Sequence, residues 1–164
     1  MIRKSGFFLA VIFIAFFTFQ SGAKAESGSD EYHRGNYYYG LKDYKKAIMW
    51  YSRASKKKYA PAIYKMGLMY GSGKGSTLNY RTAAKHYEKS AKLGYHPAQY
   101  QLGLMYAKGI GVKKNDVKAY VWYVKAQESG NKIVGRHLKK LEKNMDKRDI
   151  VKALKILKKF KKKK

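Results

Sequence analysis

The sequence of 164 residues has no cysteine, two prolines and only ten acidic residues. Without cysteine there is no disulfide, no metal-thiolate site and no thiol nucleophile, so packing alone must hold the fold. The ten acids are Glu26, Asp30, Glu31, Asp43, Glu88, Asp116, Glu128, Glu142, Asp146 and Asp149. Catalysis needs convergent titratable groups, and these acids are too scattered to suggest a pair. The four histidines, His33, His86, His96 and His137, form neither an H-E-x-x-H motif nor an i, i+4 pair. The expectation is a protein that is not an enzyme, with no catalytic residue, no metal and no cofactor.

Long apolar runs are scarce as well. The uncharged stretch from Phe7 to Phe19 is too short to cross hydrocarbon, which takes about 20 residues. Arg3 and Lys4 precede it and the small-x-small site Ala23-Lys24-Ala25 follows, which predicts a secretory signal peptide over residues 1–25, cleaved after Ala25. The mature chain would begin at Glu26 and be periplasmic or secreted. An uncleaved signal anchored in the inner membrane is the alternative. Because residue 26 is not Cys, a lipidated mature N-terminus is excluded.

Cations, by contrast, are abundant: 37 Lys and Arg give a formal net charge of +27. The removed segment carries Arg3, Lys4 and Lys24 and no acid, so the mature chain stays strongly positive. A field of that sign attracts polyanions. The density is greatest at the C-terminus, which ends in Lys158, Lys159, Phe160, Lys161, Lys162, Lys163 and Lys164. Outside the cytoplasm such a tail suits an anionic envelope surface or an acidic protein better than nucleic acid.

An internal repeat organises the rest. The segment from Pro61-Ala62-Ile63-Tyr64-Lys65-Met66-Gly67-Leu68-Met69-Tyr70 aligns with Pro97-Ala98-Gln99-Tyr100-Gln101-Leu102-Gly103-Leu104-Met105-Tyr106. The same shift carries Gly73 and Gly75 onto Gly109 and Gly111, Tyr87 onto Tyr123, and Gly94 onto Gly130. Each unit reads as two helices. Proline suits the first turn of helix A, where its missing N–H costs nothing. Ala62, Met66 and Tyr70, like Ala98, Leu102 and Tyr106, recur every four residues as a buried stripe. Gly67 and Gly103 lie inside helix A at a cost of about 1 kcal/mol, which makes sense where another helix must come very close. The Gly-x-Gly pairs supply positive φ for a turn. Helix B then runs from about residue 81 to 93 and from about 117 to 129, with Asp116 as N-cap in the second unit.

These residues resemble the Sel-one-like repeat (SLR) proteins, relatives of the tetratricopeptide repeats (TPR). The pattern is carried by Ala98, Leu102-Gly103, Tyr106, Gly109, Gly111-Val112, Asp116, Ala119, Trp122-Tyr123, Ala126 and Gly130. An earlier unit shows the same marks at Gly35, Tyr38, Ala47, Trp50-Tyr51 and Ala54. Its shorter Gly35-to-Ala47 gap matches TPR units and predicts an inner helix of only about two turns. The resemblance implies an all-α fold, a right-handed α/α solenoid of about three helix pairs. The repeats would cover about 31–60, 61–96 and 97–132, within a single domain over 26–160. A C-terminal capping pair is expected over 133–160, with Ile150, Ala153, Leu154, Leu157 and Phe160 on one helical face and a basic tail over 161–164.

The resemblance also implies a function, that of a protein-protein interaction scaffold or adaptor. In this superfamily the positions three before and one after the repeat glycine face the concave groove. The expected binding residues are Tyr32, Asn36, Tyr39, Tyr64, Leu68, Tyr100 and Leu104. The competing reading of the Tyr row is that its rings pack on one another. The expected partner is another protein, and the chain itself is expected to be a monomer. The alternative is a cell-wall-associated enzyme or a direct binder of peptidoglycan or β-lactams. Secreted SLR proteins associated with β-lactamase activity carry a Cys pair in each repeat, and this chain has none.

Overall fold

The computed structural model describes residues 28–161. The segment expected to be a signal peptide and the side chains of Lys161, Lys162, Lys163 and Lys164 lie outside the described residues. Within them there are eight helices and no strand: α1 (Ser29–Gly40), α2 (Tyr44–Lys56), α3 (Ala60–Ser72), α4 (Tyr80–Lys92), α5 (His96–Lys108), α6 (Asp116–Gln127), α7 (Lys132–Asn144) and α8 (Lys147–Lys161). The fold is an all-α solenoid. Helix A of the three repeats is α1, α3 and α5, and helix B is α2, α4 and α6.

Local chemistry sets the helix ends. Pro61 and Pro97 lie in the first turns of α3 and α5, where no intrahelical donor is lost. Both helices stop at a left-handed glycine, Gly73 at φ 68° and Gly109 at φ 73°. Each helix B begins under a side-chain cap at the same repeat position. Asp43 accepts from the Lys46 backbone N–H at 3.1 Å, Asn79 from Thr82 at 2.9 Å, and Asn115 from Lys118 at 2.8 Å. The cap of α6 is therefore Asn115, and Asp116 is the first helical residue. Its carboxylate there still favours the positive end of the helix dipole.

The first repeat departs from expectation in where it is short. Helix α1 has 12 residues, more than three turns, close to the 13 of α3. The missing residues come out of the link. Residues 41–43 join α1 to α2, with Lys42 at φ 62°, where 73–79 and 109–115 serve the later repeats.

Within each repeat the A and B helices pack closely, and consecutive repeats meet through α2 with α3 and α4 with α5. Alanines make that approach possible: Ala47, Ala54, Ala62, Ala98, Ala119 and Ala126 are fully buried. The last two helices both dock on α6. Leu138, Leu141 and Met145 of the α7 segment join Ile150, Ala153, Ile156 and Leu157 of α8 against Tyr120 and Val121. The apolar stripe of α8 reaches Phe160, whose ring meets Trp122 edge-on at 5.8 Å, whereas Leu154 of the expected stripe is exposed.

Candidate functional site

The A helices carry a recurring aromatic arrangement. Tyr51, Tyr87 and Tyr123 of the B helices seat their rings on Gly35, Gly67 and Gly103, where a Cβ would lie 2.5–2.6 Å from the ring. The expected groove tyrosines lean on these rings, with centroid distances of 5.9 Å for Tyr32–Tyr51, 5.6 Å for Tyr64–Tyr87 and 6.1 Å for Tyr100–Tyr123. A third ring completes each set: Tyr59 and Tyr95, the N-caps of α3 and α5, meet Tyr32 and Tyr64, and His137 from within α7 meets Tyr100. Tyr32, Tyr64 and Tyr100 are thus half-buried, with one side against other rings and the remainder facing solvent.

The residues one position after each glycine have different surroundings. The Asn36 Oδ1 accepts from the Tyr51 hydroxyl at 2.8 Å. Leu68 and Leu104 line an apolar cleft of about 280 Å3 between α3, α4 and α5. Gly71, Ser72, Tyr80, Gln101 and Lys108 contribute to its walls. Tyr39 stands apart from this cleft. Its hydroxyl accepts from Lys74 Nζ at 3.0 Å, and Lys74 also lies over the Tyr39 and Tyr44 rings, fastening the second repeat's turn to the first repeat.

Burial governs the chemistry of these tyrosines. It pushes the Tyr51 and Tyr87 hydroxyls far above the ordinary tyrosine range and Tyr123 up to about 12. Tyr64 is also raised by burial, partly offset by its hydrogen bond to Gln101. All stay protonated near neutral pH, so they offer packing surface and O–H donors rather than a phenolate base. Among the described residues no group of three or more His, Asp or Glu could hold a metal. No helix among them is long and apolar enough to cross a membrane.

Comparison with known families finds the Sel1 repeat three times, at residues 26–59, 60–95 and 96–131. The chain belongs to the Sel1 repeat family. Two solved structures share its shape. One is the crystal structure of c5321, a protective antigen present in uropathogenic Escherichia coli strains and displaying an SLR fold. It superposes with a TM-score of 0.74 at 26% identity, over 82% of this chain and 30% of that one. The other is a Sel1 repeat protein from Oxalobacter formigenes, with a TM-score of 0.62 at 33% identity, over 65% of this chain and 44% of that one. The chain therefore spans less than half the length of either neighbour. No curated protein matches at a significant level.

Beyond the third Sel1 repeat, α7 occupies the place of a fourth helix A. The repeat shift carries Tyr100 onto Arg136 and Leu104 onto Lys140, so the row of groove positions changes from aromatic and apolar to cationic. Ile133, Arg136, His137 and Lys140 line a depression of about 230 Å3 there. Sequence reasoning placed these residues in the cap and missed them. Continuing the 36-residue shift past Gly130 is the signal that finds them. The C-terminal Lys158 and Lys159 lie elsewhere, exposed on α8, which packs on the B helix α6.

Proposed function

We propose that this Sel1 repeat protein is an exported adaptor that holds a partner protein against its row of A helices. The cleft between Leu68 and Leu104 carries this reading. It is apolar and open and is lined by Leu68 and Leu104, two of the expected groove residues, so an anchoring side chain could be desolvated there. The Sel1 fold supports a scaffold, and the buried, protonated tyrosines add surface rather than acid-base chemistry. Export rests on the basic start, the apolar run and the Ala23-Lys24-Ala25 site.

Capture from an envelope extract tests the adaptor reading, comparing the wild-type mature chain with Ser72→Trp. Ser72 is exposed on the cleft wall, so a bulky ring there obstructs the cleft without entering the core. A partner retained by wild type and lost by Ser72→Trp supports the groove. A partner retained equally by both places the site elsewhere. N-terminal sequencing of the natural protein tests export, with Glu26 as the expected first residue.

A further inference from the structure

At the C-terminal end of the groove row, three cations and an imidazole converge without compensation. Arg136 and Lys140 are exposed on consecutive turns of α7, His137 lies between them against the Tyr100 and Tyr123 rings, and Lys108 comes from α5. Among the described residues none of the three cations has a carboxylate at ion-pair distance. The crowding is electrically real: His137 is held below its ordinary pKa by burial first, then by Lys108, Arg136 and Lys140. Surface cations of a folded chain are more stable with an anion nearby, and here the fold supplies none.

Lys108 lines the apolar cleft with Leu68 and Leu104 and lies close enough to the depression for its charge to act on His137. We propose that the apolar cleft and the neighbouring cationic depression together bind an acidic polypeptide segment, with an apolar side chain in the cleft and two carboxylates on Arg136 and Lys140. This rests on the reading of the groove as a protein-binding surface and adds what the partner must carry. A lone phosphate or an anionic glycan would satisfy the cations and leave the cleft unfilled. The spacing also fits a peptide. Arg136 and Lys140 are one helical turn apart, about 5–6 Å between Cβ atoms, and side chains two residues apart on an extended strand are about 6.5–7 Å apart on one face. The expected motif is acid-x-acid with an apolar residue a few positions away.

The test is fluorescence anisotropy with the mature protein and a short labelled peptide that contains one Leu and an Asp-Gly-Asp triplet. The controls are the same peptide with Asn for Asp, and vesicles of phosphatidylcholine and phosphatidylglycerol. Arg136→Glu/Lys140→Glu should weaken the Asp peptide about tenfold or more, as expected for close charge pairs. Lys85→Glu/Lys89→Glu makes the same change of charge one helical turn apart on α4 and should leave the affinity within about twofold. Lowering the pH from neutral through the depressed pKa of His137, which lies below 6.5, should tighten binding, because His137 then charges while carboxylates with ordinary pKa values of about 4 are still largely ionised. The groups facing His137 are Tyr100 and Lys108 from α5, Tyr123 from α6, and Arg136 and Lys140 from α7. The His137→Gln variant should lose that pH response.

Equal loss in both charge reversals would overturn the inference in favour of a general positive field. So would no binding of the Asp peptide, equal binding of the Asn peptide, or a site that takes vesicles and ignores the peptide. Binding blocked by Ser72→Trp but untouched by Arg136→Glu/Lys140→Glu would remove the acidic partner and leave the groove standing. If neither variant changes binding, both readings fall.

Discussion

Tyr123 seats its ring on the bare backbone of Gly103, so closely that a Cβ built on the glycine would stand 2.6 Å from Tyr123 Cδ1. Helix propensity alone favours Gly103→Ala by about 1 kcal/mol. The ring is buried in a packed core and has little room to move, and overpacking of this kind costs about 1–3 kcal/mol. Gly103→Ala is therefore expected to destabilise, and Gly40→Ala, with nothing within 4 Å, to be neutral or mildly stabilising. Urea melts of the two variants decide it. In a Tyr123→Ala background the Gly103→Ala penalty should disappear.

The C-terminal residues divide into a structural and an electrostatic part at Phe160. Its ring packs on Trp122 at 5.8 Å, with Lys125 Nζ 5.1 Å from its centroid. A deletion from Lys158 onward removes this contact and is expected to cost about 1–2 kcal/mol, as is Phe160→Ala. Deletion from Lys161 onward should leave the thermal midpoint in place. It should slow association with an anionic partner and flatten the salt dependence. Melting curves with surface plasmon resonance at two salt concentrations separate the two effects.

His86 makes stability depend on pH. Its ring stacks on Tyr70 at 5.2 Å with an interplanar angle of 5°, and burial first, then Lys89, lowers its pKa from 6.5. With the folded pKa below the unfolded one, the unfolded chain binds more protons in that window, so stability rises with pH across it. The contribution is complete above about pH 6.5 and is lost as the pH falls through the folded value. His137 is shifted the same way. Thermal midpoints should fall between neutral and mildly acidic buffer, and less so in His86→Gln.

Lys58 holds a left-handed conformation, φ 59°, at the place where the later repeats have Gly94 and Gly130. That conformation costs a side-chain-bearing residue roughly 1–2 kcal/mol, partly offset by the greater freedom glycine gains on unfolding. Lys58→Gly is expected to stabilise by roughly 0.5–1 kcal/mol, which chemical denaturation can resolve.

The architecture was readable because the periodic residues are also the packing residues. Gly67, Tyr87, Pro97 and Gly109 each have a backbone or contact role that few other residues could fill, so the identities repeat with the structure. Caps were less legible, because Asn115 and Asp116 are both plausible from sequence and only the backbone decides which is the N-cap. The length of α1 was misread for a similar reason. The Gly35-to-Ala47 gap fixes how many residues are missing, not whether helix or link loses them, and Lys42 absorbs the sharp turn. The cationic end of the groove stayed hidden because Arg136 and Lys140 keep the register of Tyr100 and Leu104 while changing every identity. A surface position needs no particular side chain to hold the fold.

The turns that follow α3 and α5 reach back to the preceding repeat. A Cβ on Gly75 would lie 2.6 Å from the Tyr44 carbonyl oxygen, and one on Gly111 would collide with that of Tyr80. Main chain rests on main chain at both junctions, outside the row of groove residues, like teeth of adjacent gears. Any side chain there must rotate one repeat against the next, and over three repeats a small rotation alters how wide the cleft between Leu68 and Leu104 opens. The curvature of the A-helix face is thus set from outside it. Changes in Gly75 or Gly111 would reshape the proposed groove while every residue that lines it stays the same.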